Sequence, residues 1–117
     1  MGIEALWTMQ FHNTNGPASS AGVVVFESGR IFGGDSCYYY IGNYEVDGMT
    51  IHGRVKSVRF NQQQQCQSVI DPYEHLVFQF TGTMGADRNT IEGTLSADGS
   101  PPTQQIRATL ARRHALP

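Results

Sequence analysis

The sequence predicts an all-β fold, a small antiparallel up-and-down β-barrel of seven to eight strands. Apolar and polar residues alternate with a period of two through most of the chain, which is typical of strands with one buried face. Turn-forming residues separate these segments about every 8 to 12 positions, and no clear helical pattern appears. At 117 residues, the chain is expected to form one domain over residues 1–117.

The first part of the chain predicts three strands. Residues 3–11 carry apolar side chains at the odd positions, so these positions are expected to face inward. Residues 20–27 are rich in β-branched side chains, which favour a second strand. Ser28-Gly29 is a hairpin signal and predicts a third strand from Arg30 onward.

A long strand is expected to lead up to the Asp47-Gly48 hairpin turn. Asn43 and Glu45 indicate that its odd positions face water, which turns five even positions inward: Tyr38, Tyr40, Gly42, Tyr44 and Val46. The returning strand alternates in the same way until Val58 and Phe60 change the parity. That change predicts a β-bulge near Ser57.

The second half repeats the pattern. Residues 61–65 are glutamine-rich and are expected to form a solvated loop, with a brief strand at 67–71. Residues 76–81 and 90–95 alternate as strands. Residues 103–113 fit either a strand or a helix, and the strand is favoured because a sheet needs its last edge covered.

Four glycines interrupt strand-like segments: Gly42, Gly53, Gly82 and Gly93. Glycine inside a strand weakens it and usually marks a bend or a close approach of two backbones. Several such bends favour a closed, strongly coiled barrel over a flat sandwich.

The Gly33-Gly34-Asp35 motif precedes three consecutive tyrosines. A phosphate cradle needs a following helix and a nearby lysine, and neither pattern is present. The motif is instead expected to turn the chain at a barrel corner, where Asp35 accepts hydrogen bonds from free backbone N–H groups. Gly42 is expected to leave room for a bend or for ring packing.

The aromatic residues divide between two candidate sites. The inward set either lines a cavity for a small apolar ligand or fills a dry core: Trp7, Met9, Phe11, Tyr38, Tyr40, Phe78 and Phe80. Tyr39 and Ile41 are expected to point outward, where they form either a protein interface or simple cross-strand packing.

Composition argues against several classes of function. The net charge is −2 and the eight basic residues are scattered apart from Arg112-Arg113, so neither nucleic acid nor a membrane is an expected partner. No spacing of the four histidines suggests a metal or catalytic site, and neither an enzyme nor a cofactor is expected. The first residues lack the pattern of a signal peptide, which predicts a cytoplasmic protein with Cys37 and Cys66 reduced.

Beyond these patterns, the chain resembles the GrlR-like family, whose named members are negative regulators of type III secretion gene expression. The resemblance is strongest over residues 20–60, and its most specific part is Gly33-Gly34-Asp35 followed by Tyr40-Ile41-Gly42-Asn43-Tyr44. It continues through residues 78–82, 91–95 and 108–112.

The resemblance implies a lipocalin-like (calycin) barrel, homodimerisation and no catalytic activity. In the regulator, the barrel binds a transcriptional activator and needs an acidic run of four residues. That run aligns with Tyr44-Glu45-Val46-Asp47, where this chain has two acids separated by valine. The resemblance thus adds Glu45 and Asp47 to the outward Tyr39 and Ile41 as expected protein-binding residues of a non-enzymatic regulator, and the alternative function is a carrier or sensor of an apolar ligand.

Overall fold

The computed structural model describes residues 3–13, 19–61, 75–97 and 105–117. These residues form eight β-strands and no helix: β1 (Ala5–Asn13), β2 (Ser19–Glu27), β3 (Arg30–Gly34), β4 (Tyr38–Asp47), β5 (Thr50–Arg59), β6 (His75–Met84), β7 (Thr90–Ala97) and β8 (Gln105–His114). Each strand pairs antiparallel with the next, and β8 returns to pair with β1. The predicted small lipocalin-like barrel is confirmed. None of the described segments is a helix long and apolar enough to cross a membrane.

The alternation of side chains follows from the closed sheet. Along β1, the odd positions from Ala5 to Phe11 are buried, whereas Gln10 and His12 are exposed. A register shift separates Leu6 from Trp7 where β1 pairs with β8. Such a bulge increases local twist, which helps a short sheet to close.

Trp7 belongs to the buried cluster and is fully inaccessible to solvent. Its indole N–H donates to the carbonyl oxygen of Ile3 at 2.9 Å, so the one polar atom of the ring is paired. The ring packs edge-on against Phe26, with centroids 6.1 Å apart. The indole therefore ties the residues before β1 to the interior of the barrel.

Short hairpin turns join β2 to β3, where the sequence predicts one, and β4 to β5, one residue away from the predicted position. Ser28 and Gly29 join β2 to β3 and both have positive φ, at 52° and 79°, as a type I′ turn requires. The next hairpin is displaced by one residue from the expected Asp47-Gly48: Asp47 pairs with Thr50, and the turn is Gly48-Met49. Gly48 supplies the positive φ of 64°.

The bulge expected near Ser57 is absent from the described strands. β5 pairs in continuous register with both β4 and β6, and Ser57 points inward opposite Tyr40. Val58 therefore points outward without any break in the strand. The prediction was wrong because it assumed that apolar side chains must face the interior, although the outside of this barrel also carries them.

Three other expectations can be compared with the strands. The segment 103–113 was favoured as a strand, and β8 confirms this from Gln105 onward. Val46 was expected to be buried, but it is 47% exposed, two residues before the β4–β5 turn. The brief strand predicted at 67–71, and all of the glutamine tract after Asn61, fall outside the described residues.

Candidate functional site

The Gly-Gly-Asp motif forms the corner between β3 and β4. The Asp35 side chain accepts hydrogen bonds at Oδ1 from the backbone N–H groups of Cys37 and Tyr38, both at 2.8 Å. The Asp35 N–H in turn donates to the Tyr38 carbonyl at 2.9 Å. This arrangement matches the predicted role, because the carboxylate satisfies two amides that the turn leaves without sheet partners.

The second oxygen of the same carboxylate reaches into the barrel. Oδ2 of Asp35 accepts a hydrogen bond from the Tyr40 hydroxyl at 2.5 Å. Burial, together with this hydrogen bond and the nearby negative charge, raises the pKa of Tyr40 well above its ordinary value. The Tyr40 ring packs edge-on against Phe11, with centroids 6.0 Å apart. Asp35 thus joins the corner to the interior side chains of β1 and β4.

Cys37 completes the corner, and here the prediction of reduced thiols was wrong. Cys37 is buried and disulfide-bonded; the other cysteine of the chain, Cys66, lies outside the described residues. The Cys37 carbonyl accepts from the N–H of Phe60 at 2.9 Å, and the Asn61 side chain donates to the Ser36 carbonyl at 3.3 Å. These hydrogen bonds hold the corner to the residues that follow β5.

Gly42 lets β4 approach β5 closely. A Cβ built at Gly42 would lie within van der Waals overlap of the Arg54 carbonyl oxygen, at 2.0 Å. Gly33 is similarly constrained, since a Cβ there would meet the Val23 carbonyl oxygen at 2.1 Å. These contacts support the prediction that interior glycines mark sharp coiling of the barrel.

The interior contains a small apolar cavity lined by described residues, with a volume of about 40 Å³. Five of the seven predicted lining residues contribute to it: Met9, Phe11, Tyr40, Phe78 and Phe80. Trp7 and Tyr38 are fully buried but do not line it. Sites for drug-sized ligands occupy roughly 300–1,000 Å³, so in this conformation the rings largely fill the barrel.

The outside of β2 to β5 carries a continuous patch of apolar side chains. Val25, Phe32 and Ile41 lie in one row across three adjacent strands. Beside them, Tyr39 of β4 lies between Gly34 and Val58, and Gly34 pairs with Val23. We call this patch the outer apolar face; it comprises Val23, Val25, Phe32, Tyr39, Ile41 and Val58.

Exposure of the outer apolar face is high for residues of this type. Phe32 is 37% exposed, and Val23, Tyr39 and Ile41 are 45 to 48% exposed. Phe60, two positions beyond Val58, is 55% exposed. Isolated exposed apolar side chains are ordinary, but a contiguous group usually marks an interaction site. Sequence alternation identified Tyr39 and Ile41; the other members required the register between strands.

Glu45 and Asp47 do not join the outer apolar face. Both are exposed, and Glu45 pairs with His52 near the β4–β5 turn, with Asn43 between it and Ile41 along the strand. The four residues predicted to bind protein therefore form two separate groups. One is the apolar pair within the face, and the other is the acidic pair at the hairpin.

The described residues contain no cluster of three or more His, Cys, Asp or Glu side chains placed to hold a metal ion. His12 and His52 are both exposed, as their positions in the alternation predict. No family model matches the chain, and no curated protein matches it at a significant level.

Proposed function

We propose that this chain is a non-enzymatic regulatory protein that acts by binding another protein through the outer apolar face. The observation that carries the proposal is the contiguity of this face: its rows cross four paired strands, and its exposed members include two aromatic rings. Aromatic side chains are enriched at protein interfaces, where they bury much area at little conformational cost.

The resemblance to GrlR motivates a more specific form of this proposal. In that form, the protein is a cytoplasmic homodimer that binds a transcriptional activator and lowers expression of type III secretion genes. The disulfide of Cys37 bears on the compartment, since cytosolic disulfides are usually transient. In the cytoplasm, the bond would be redox-dependent, and alkylation of thiols in freshly lysed cells would measure its state.

A pull-down from native cell extract tests the proposal. The wild-type protein should retain a transcription-related partner, and Ile41→Asp should lose it by placing a charge within the apolar row. Thr109→Asp is a matched control, because Thr109 is exposed on β8 between Gln10 and Glu92, on another part of the barrel. Equal recovery by both variants, or recovery of no transcription-related protein, would argue against the proposal.

A second candidate function is a small carrier or sensor of an apolar ligand. It is favoured because most of the side chains that line the cavity are apolar. Native mass spectrometry of the purified protein separates the two. An additional mass of a few hundred daltons would favour the carrier, whereas a ligand-free dimer would favour the regulator. The cavity is smaller than the sites that hold drug-sized ligands, which favours the regulator over the carrier.

A further inference from the structure

The closed barrel limits how a partner can dock on the outer apolar face. Every described strand pairs with a neighbour on both sides, so β2 to β5 offer no free edge. A partner therefore cannot bind there by adding a strand, which needs unpaired backbone groups. Binding at this face must use side chains packed against side chains.

The dimensions of the face suit a helix. Adjacent strands lie about 4.8 Å apart, so a row over four strands extends roughly 15 to 20 Å, or about three helical turns of 5.4 Å. Two neighbouring rows are roughly 7 Å apart along the strands, close to the width of the apolar stripe on an amphipathic helix. A helix lying across the strands would cover Phe32 and Ile41 together with Val23 and Tyr39.

Cations border this face. Lys56 is exposed and pairs with Ile41, which places it at the end of the row formed by Val25, Phe32 and Ile41. The guanidinium of Arg30 lies 5.6 Å from the centroid of the Phe32 ring. On the β1 side, Arg113 donates to the Thr8 hydroxyl at 2.8 Å, and Thr8 pairs with Val23.

Acidic residues are few around the same face. Two acids lie beside the row next to Phe32: Glu27, which pairs with Arg30, and Glu4, whose carboxylate accepts from the Ser28 N–H at 2.8 Å. The Glu45 and Asp47 pair lies further along, at the hairpin. The border is thus mainly positive, although the whole chain has a net charge of −2. Opposite charges at the rim of an interface select partners and accelerate their association.

We infer that the partner segment is an acidic amphipathic helix, whose apolar stripe covers the outer apolar face and whose carboxylates meet Arg30, Lys56 and Arg113. This inference rests on the proposed function and names the chemistry of its partner. A second copy of the chain fits less well, because the same face on that copy would bring mainly cations to the rim. An anionic membrane shares the negative charge of such a helix, and the vesicle experiment below separates the two.

Selection from a displayed library of random peptides of about 16 residues, long enough for four helical turns, tests this inference. The immobilised proteins are wild type, the double variant Arg30→Glu/Lys56→Glu, and the control Arg107→Glu. Arg107 is exposed on β8 between His12 and Thr94, away from the face. Wild type and control should enrich acidic peptides with apolar residues at helical spacing, and the double variant should bind them about tenfold more weakly.

The outcomes separate this inference from the proposed function. Enriched peptides that need Ile41 but are neutral or basic would overturn the acidic partner and leave the docking face intact. Enrichment that is unaffected by Ile41→Asp, or no enrichment at all, would also overturn the inference, and the pull-down would then decide the proposed function alone. If the wild-type protein sediments with vesicles of phosphatidylserine and phosphatidylcholine and Ile41→Asp does not, the outer apolar face binds a membrane rather than a peptide. That result would contradict both the acidic helix and the proposed function.

Discussion

The hydroxyl of Tyr40 donates a hydrogen bond to Oδ2 of Asp35 at 2.5 Å, while Oδ1 of the same carboxylate accepts from two backbone amides. One side chain therefore fixes both the β3–β4 corner and an interior ring of β4. The orientation of Tyr40 also sets that of its neighbour Tyr39, since successive side chains of a strand point to opposite faces. The corner thus supports the outer apolar face from within.

Replacement of Asp35 tests this role. Asp35→Ala should lower the free energy of unfolding by about 3 kcal/mol, because two amides and a buried hydroxyl lose their acceptor. Asp35→Asn should cost less, since its Oδ1 still accepts from Cys37 and Tyr38. Urea unfolding measures the stability of both variants. Equal losses of stability would contradict a stabilising role for the Oδ1 hydrogen bonds to the backbone.

The raised pKa of Tyr40 predicts a stability loss at alkaline pH. The unfolded chain releases the phenolic proton near pH 10, whereas burial holds it on Tyr40 in the folded state. Above pH 10, the unfolded state therefore binds fewer protons than the folded state. Folding stability falls there as pH rises, by up to about 1.4 kcal/mol per pH unit. Tyr40→Phe should be less stable than wild type at pH 7 but should show a shallower decline above pH 10.

Part of the alkaline slope will remain in that variant. Burial also raises the pKa of Tyr44, whose ring packs edge-on against Phe26 at 5.2 Å. Denaturant midpoints measured at several pH values above 9 give the slopes directly. Parallel curves for wild type and Tyr40→Phe would contradict the assignment of the slope to Tyr40.

Two glycines allow a matched comparison of barrel coiling with turn geometry. Gly42→Ala should destabilise the fold by about 3 kcal/mol, because its Cβ would collide with the Arg54 carbonyl oxygen rather than with a movable side chain. Gly48→Ala should cost only about 1 kcal/mol, the penalty for a positive φ, since nothing lies within 4 Å of its Cβ position. Thermal unfolding of both variants checks the order, and a larger loss at Gly48 would refute it.

The disulfide of Cys37 predicts a redox-dependent stability. Reduction of the wild-type protein should lower the free energy of unfolding by about 2 to 4 kcal/mol, the range typical of a native disulfide. Cys37→Ser should match the reduced wild type and should not respond to reductant. A wild-type unfolding midpoint that is the same with and without reductant would contradict a structural disulfide.

Much of this fold follows from alternation alone. The inward and outward assignments of Tyr38 to Ile41 hold because Asn43 and Glu45 mark the solvent side of the same strand. The Ser28-Gly29 turn was predictable because Gly29 adopts, without steric cost, the positive φ that such a turn needs. These features depend on neighbouring residues, which a single sequence displays.

Other features depend on which strands lie side by side. The rows that join Val25 to Ile41 and Lys56 exist only once three registers are fixed. The disulfide was missed because the absence of a signal pattern was used to infer a reducing compartment. The bulge near Ser57 was wrongly predicted because outward apolar residues such as Val58 imitate, in the sequence, a switch of the buried face of the strand.

The most direct test of the central claim, that binding occurs on the outside of the barrel, is a methyl NMR spectrum recorded with isoleucine labelling. Of the described isoleucines, Ile41 is 48% exposed, whereas Ile31 and Ile106 are buried and line the cavity. Addition of the captured partner should shift the Ile41 methyl signal and leave those of Ile31 and Ile106 in place. Shifts at Ile31 and Ile106 with an unchanged Ile41 signal would place the binding site inside the barrel and contradict the account.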